Sequence, residues 1–121
     1  MPRKPKRSTQ RTKADKAFSL SVRARGYCEA AGYPGVRCGG GLQAAHLIGR
    51  RYYSIRWDEE NALSLCQGHH VWFTHNPEAW RAFIDENWPG RYEALLSRAR
   101  TPWDRSYETV LERLEKEKVD E

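Results

Sequence analysis

A chain of 121 residues, 39% hydrophobic and 31% charged, has material for one domain with a small core. Cores of that size commonly need a staple, and a structural metal is one of the few available. A net charge of +5 and a pI near 9.3 point to an anionic partner, nucleic acid being the commonest. Three cysteines cannot all pair within one molecule, and no apolar run follows the basic N-terminus. Neither a signal peptide nor a membrane span is therefore expected, and the setting implied is cytoplasmic and reducing, where thiols more often bind metal than form disulfides. The Arg/Lys/Ser/Thr-rich start resembles a transit peptide in composition only, since it lacks an amphipathic pattern.

Residues 1–16 carry seven Lys/Arg against one acid and almost no large apolar side chain. They read as a disordered basic arm, either tracking phosphates or serving only solubility. A compact unit is expected over 17–100, with residues 101–121 forming an amphipathic helix packed on it or extending it. A short helix over 15–27 would bury Phe18, Leu20 and Val22 and stop at Gly26. Cys28 and Cys38 enclose the turn-rich Gly32-Tyr33-Pro34-Gly35. A strand is expected over Leu42–Ile48, then a basic loop holding Arg50, Arg51 and Arg56, a second strand at Ala62–Leu65, and a helix from Cys66 to Asn76-Pro77. Pro77 suits the first position of another helix with Asn76 as its N-cap. Trp80, Phe83, Ile84 and Trp88 recur there at helical spacing, and Pro89-Gly90 ends it. Arg91–Ala99 forms a further short helix. Asp104 would cap the last one, with Tyr107, Val110, Leu111 and Leu114 on one face. The aromatic residues read as core rather than as a base-stacking platform, and the final Glu/Lys run as a solvated helix end. The class expected is α+β.

Cys28, Cys38, Cys66 and His69 supply a Cys3His donor set suited to closed, tetrahedral, structural zinc. Cys66-x-x-His69 is a tight knuckle spacing. The first pair is loose, because residue 31, where a second cysteine would more usually stand, is Ala31, and Cys38 must reach back across a longer loop. The alternative is that these thiols are small buried hydrophobes.

His46, Asn61 and His70 follow at intervals of fifteen and nine residues, interleaved with those cysteines. Hydrolysing a phosphodiester needs an activated water and relief of charge on the phosphate and leaving oxygen. His46, ending a strand and neutral near pH 7, suits a general base. His70 begins a helix one residue after a zinc donor, which fixes its backbone. Taken singly, each has a plainer reading: His46 as an ordinary core or surface histidine, Asn61 as a turn residue, His70 as a competitor of His69 for zinc. Arg50, Arg51 and Arg56 could clamp phosphates or form an ordinary charged loop. Trp57 and Asp58 read as loop packing and turn capping.

Over roughly residues 28–96, the stretches Leu42-Gln-Ala-Ala-His46-Leu-Ile and Asn61-Ala-Leu-Ser-Leu-Cys66-Gln-Gly-His69-His70 resemble the HNH endonuclease family, most closely its small stand-alone phage members. The resemblance implies a zinc-stabilised ββα-metal (His-Me finger) core with added C-terminal helices, and metal-dependent nicking or cleavage of DNA to 5′-phosphate and 3′-hydroxyl ends. In it His46 is the base, Asn61 holds the base in position across the loop, and His70 binds one catalytic Mg2+ or Mn2+. It further implies a role in phage genome processing or packaging, with a terminase as a candidate neighbour. Where many members carry Asp or His before the base, this chain has Ala45, so water and substrate must complete the metal shell. His75 could compensate only if its helix loosens, since five residues place it about 140° from His70. Two rivals remain open: a non-catalytic zinc module that binds DNA or protein, favoured by Ala45, and a protein-interaction module built on the C-terminal helices.

Overall fold

Strands β1 (Leu42–His46) and β2 (Ala62–Cys66) pair antiparallel, with Leu42 opposite Cys66 and His46 opposite Ala62. The computed structural model describes residues 5–119. Every residue of β2 is buried, which its apolar run Ala-Leu-Ser-Leu-Cys requires. Its free edge is covered by the Cys28–Glu29 segment: Glu29 N donates to Ser64 O, and Ser64 N donates to the Glu29 carboxylate, both at 2.7 Å. Helix α1 (Arg7–Arg23) precedes the sheet, and α2 (Tyr53–Arg56) and a single 3-10 turn (Glu59–Asn61) lie in the loop between the strands. After β2 come α3 (Gln67–His75), α4 (Pro77–Asn87), α5 (Arg91–Ala99) and α6 (Tyr107–Val119). The described residues thus form an α+β fold of six α-helices and one two-stranded sheet. None of these helices is long and apolar enough to cross a membrane.

Two apolar clusters flank the sheet. The inner one joins Leu63, Leu65, Ile55, Phe73, Ile84 and Leu95, so β2, α3, α4 and α5 close on one another. Tyr33 and Trp80 pack on Phe73 and Phe83 at its edge, placing these aromatics in the core. The outer cluster joins Ala14, Phe18 and Val22 of α1 to Trp57 and to Tyr107, Val110 and Leu114 of α6.

That outer cluster moves the start of α1. Residues 7–16, expected as a disordered arm, are helical. Ala14, Phe18 and Val22 stand four residues apart, and burying that stripe against α6 supplies the stability that local propensity lacks. Only the first four residues of the expected arm lie outside the described ones, as do residues 120 and 121 of the C-terminal run. Leu20 is exposed rather than buried. Two caps also differ from expectation. Asn76 makes no side-chain bond to α4 and instead donates to Trp72 O of α3. Ser106, not Asp104, caps α6: its Oγ accepts from Thr109 N, while Asp104 accepts from Ser106 N.

Candidate metal centre and histidine cleft

The first turn of α3 is built around His69, which is fully buried. Its Nδ1 lies 3.1 Å from Cys66 Sγ and 3.6 Å from each of Cys28 Sγ and Cys38 Sγ. All four donor atoms fall within 4.8 Å of one another, close enough to hold a metal ion. Three thiols and an imidazole at that separation match the chemistry of a structural zinc. Cys38 reaches the others because its loop turns at Gly35 (φ +84°) and then crosses the helix start, where Gly68 N donates to Gly39 O at 2.9 Å. A Cβ on Gly68 would stand 3.1 Å from Arg37 O, so the crossing depends on glycine there. Desolvation, together with the neighbouring Cys66 and Cys28, pushes the Cys38 thiol up to about 11. Burial opposes ionisation of Cys66 too, but N–H donors from His69 and Gly39 overcome it and bring that thiol to about 6. A cation among the sulfurs would favour the thiolate forms that metal binding needs. His69 Nε2 is buried without a partner, its ring stacked on Phe73, which leaves Nδ1 as the nitrogen facing the sulfurs.

His46 ends β1 with its ring tilted on Phe18, centroids 5.4 Å apart. Its Nε2 lies 2.9 Å from Arg56 O. A carbonyl only accepts, so Nε2 carries the proton of the neutral ring and Nδ1 keeps the lone pair. Burial lowers the pKa of this imidazole and the Arg50 and Arg56 cations lower it further, outweighing the Arg56 carbonyl. The ring is therefore neutral at pH 7. Asn61, fully buried, staples the loop that carries Arg56: its Oδ1 accepts from Ile48 N at 2.8 Å, and its Nδ2 donates to Ile48 O and Ile55 O, each at 3.1 Å.

His70 is half-buried, and burial lowers its pKa. Its Nδ1 sits 2.7 Å from the Gln43 amide oxygen, which fixes the proton on Nδ1 and leaves Nε2 with the lone pair. His46 and His70 line one cleft of about 460 Å³, together with Ala44, Gly49, Arg50 and residues of α1. Ala45 faces away from it and is 3% exposed, inside the inner cluster.

The structure does not bring every candidate together. His75 is exposed in an α3 that stays helical through it, and it does not line the cleft. Arg56 is not a free phosphate clamp. Its Nε and Nη2 hold both oxygens of Asp15 at 3.0 and 2.7 Å, and its Nη1 donates to Arg50 O. Arg51 is exposed and lies over the Tyr52 ring. Among the described residues, the Cys3His cluster forms a group of three or more close metal donors, and the cleft forms none.

Two residues that hold the cleft histidines in place carried no flag in the sequence. Gln43 stands three before His46, on the strand that runs beside α3, a position a register argument could have found. Asp15 of α1 binds Arg56 and Trp57 Nε1, the latter at 2.9 Å, and so anchors the residue whose carbonyl holds His46. Burial raises its carboxyl, but those two donors outweigh the burial and hold it below the usual range. Nothing in the sequence links it to a residue 41 positions away. No protein-family model, curated protein or solved structure matches this chain.

Proposed function

We propose that the chain is a metal-dependent DNA endonuclease of the HNH type, with β1, β2 and α3 as its ββα-metal core and zinc at the Cys3His centre as a structural staple. One observation carries this reading. Two imidazoles line the same cleft, each with one ring nitrogen tied to a protein oxygen and the other left with its lone pair. His46 Nδ1 takes a proton from water as it attacks the phosphorus, and the Arg56 carbonyl steadies the imidazolium through Nε2–H. Asn61 keeps that carbonyl in place by stapling its loop. His70 Nε2 would hold a Mg2+ or Mn2+ ion, which when bound supplies charge neutralisation at the scissile phosphate and the departing oxygen. With Ala45 in the core and no group of three close donors in the cleft among the described residues, the ion depends on water and substrate oxygens for the rest of its shell.

The same observation about Ala45 favours a second reading, a zinc module that binds DNA without cutting it. Supercoiled plasmid incubated with zinc-loaded protein and magnesium or manganese separates the two. On the nuclease reading, nicked or linear product forms, and His46→Ala lowers its rate by about 10²–10⁴-fold or more while the protein still melts cooperatively. Plasmid left intact by a folded protein that still retards DNA would give the case to the binding module.

A further inference from the structure

Helix α1 shows one polar face beside the histidines. Thr12, Asp15, Lys16, Ser19 and Arg23 recur at intervals of three and four, so they share a side of the helix. Together with the exposed Leu20 they line a groove of about 480 Å³, and the histidine cleft continues it, because Asp15 and Ser19 belong to both. From Thr12 to Arg23 the face runs about 16 Å at about 1.5 Å per residue, or roughly five base steps at about 3.4 Å each.

The charge of this face is positive and uncommitted. Its one acid, Asp15, is cancelled by the two-pronged Arg56 pair. Most of the nearby arginines are spent on protein: Arg7 on Arg105 O, Arg11 on the Tyr53 hydroxyl, Arg25 on Glu29. Arg23 differs. Its Nε bonds Ser19 at 3.1 Å, which holds the guanidinium on the groove, and its terminal nitrogens have no partner among the described residues. Lys16 is in no ion pair among them either, and Arg50 stands exposed in the lining of the cleft.

We propose that this face of α1 is the wall along which the cleaved DNA strand lies. Phosphates on one side of the scissile bond rest on Lys16 and Arg23, the scissile phosphate meets the two histidines, and Arg50 receives the phosphate beyond. The proposal rests on the nuclease reading and adds to it where the substrate backbone runs. Backbone contacts of this kind orient a strand without reading its sequence, so cleavage is weakly sequence-dependent.

Binding of a fluorescein-labelled random-sequence DNA duplex to His46→Ala protein, followed by anisotropy over a range of salt, tests it without cleavage. Each phosphate contact contributes about 0.9 to the slope of log K against log salt. The double neutralisation Lys16→Gln/Arg23→Gln, added to that protein, should flatten the slope by about two. Neutralising Arg37 and Arg100, exposed and lining neither groove nor cleft, should leave it nearly unchanged. Melting curves of both variants confirm that only surface charge was removed. Equal flattening by the two double variants would overturn the groove while leaving DNA binding in place. No salt-dependent DNA binding in the parent, or tighter binding of polyglutamate than of DNA, would overturn the nuclease reading and the groove with it.

Discussion

His69 and His70 are neighbours in the chain and opposites in surroundings. His69 is sealed among three sulfurs with all its donors assembled, whereas His70 is half-open, tied to one amide, and short of partners for any ion it would hold. One turn of helix thus serves a closed, four-donor centre on one side and an open cleft on the other. Closed four-donor centres contribute to folding, while open sites leave room for water or substrate. The contrast teaches that one helical turn can complete a four-donor cluster on one side and leave the other side short of protein donors.

The contrast breaks most completely at the metal centre. Cys66→Ser, or a strong chelator, should abolish cooperative melting followed by circular dichroism, since structural zinc contributes about 10–16 kcal/mol and a domain's whole stability is about 5–15. Asn61→Ala should cost about 2–4 kcal/mol, because it strands Ile48 N and Ile48 O in the interior and removes one of the donors to Ile55 O. Melting and plasmid cleavage should fall together in that variant. Gln43→Leu should leave melting nearly unchanged and raise the Mn2+ requirement for cleavage about 10–100-fold, with Gln43→Glu restoring it, since either oxygen accepts from His70 Nδ1–H. Indifference of the metal requirement to Gln43 would detach that residue from His70.

The smallest effect concerns pH. The pKa of His46 in the folded protein lies below its ordinary value, so the ring stays neutral into mildly acidic solution, and on the nuclease reading the base survives there. The acid limb of kcat/KM should therefore fall below the usual histidine range of about 6.5. The same shift means that the unfolded chain binds more protons here, so stability from this group is complete above about 6.5 and is lost as pH drops through the folded value. Asp15 acts in the same sense lower down, below about 3.9. An acid limb above the ordinary histidine value would remove His46 from the role of base.

What could be read from the sequence was local. The strand pair, the helix from residue 67 and the four metal donors follow from alternation, turn residues and donor spacing within short windows. The remainder depends on partners far along the chain. The first turns of α1 look unstructured because their stripe has no value until α6 covers it. Arg56 looks like a phosphate ligand because charge alone does not reveal that Asp15 holds it. The Gln43–His70 bond joins residues 27 apart and depends on how α3 lies along β1. Ala45, conspicuous as a missing ligand, occupies a position whose side chain enters the core.

The packing of α1 on α6 has a consequence for the order in which the molecule is made. Arg7 donates to Arg105 O, and Phe18 shares its cluster with Tyr107 and Leu114, so the first helix waits for the last before it can settle. A ribosome-bound chain translated as far as Ala99 already holds all four metal donors, both histidines and the inner cluster. That half can close on its four donors once α5 is free of the ribosome, while the outer cluster waits for residues 107–114. Closure of the donor cluster and completion of the outer cluster are thus separable events during synthesis.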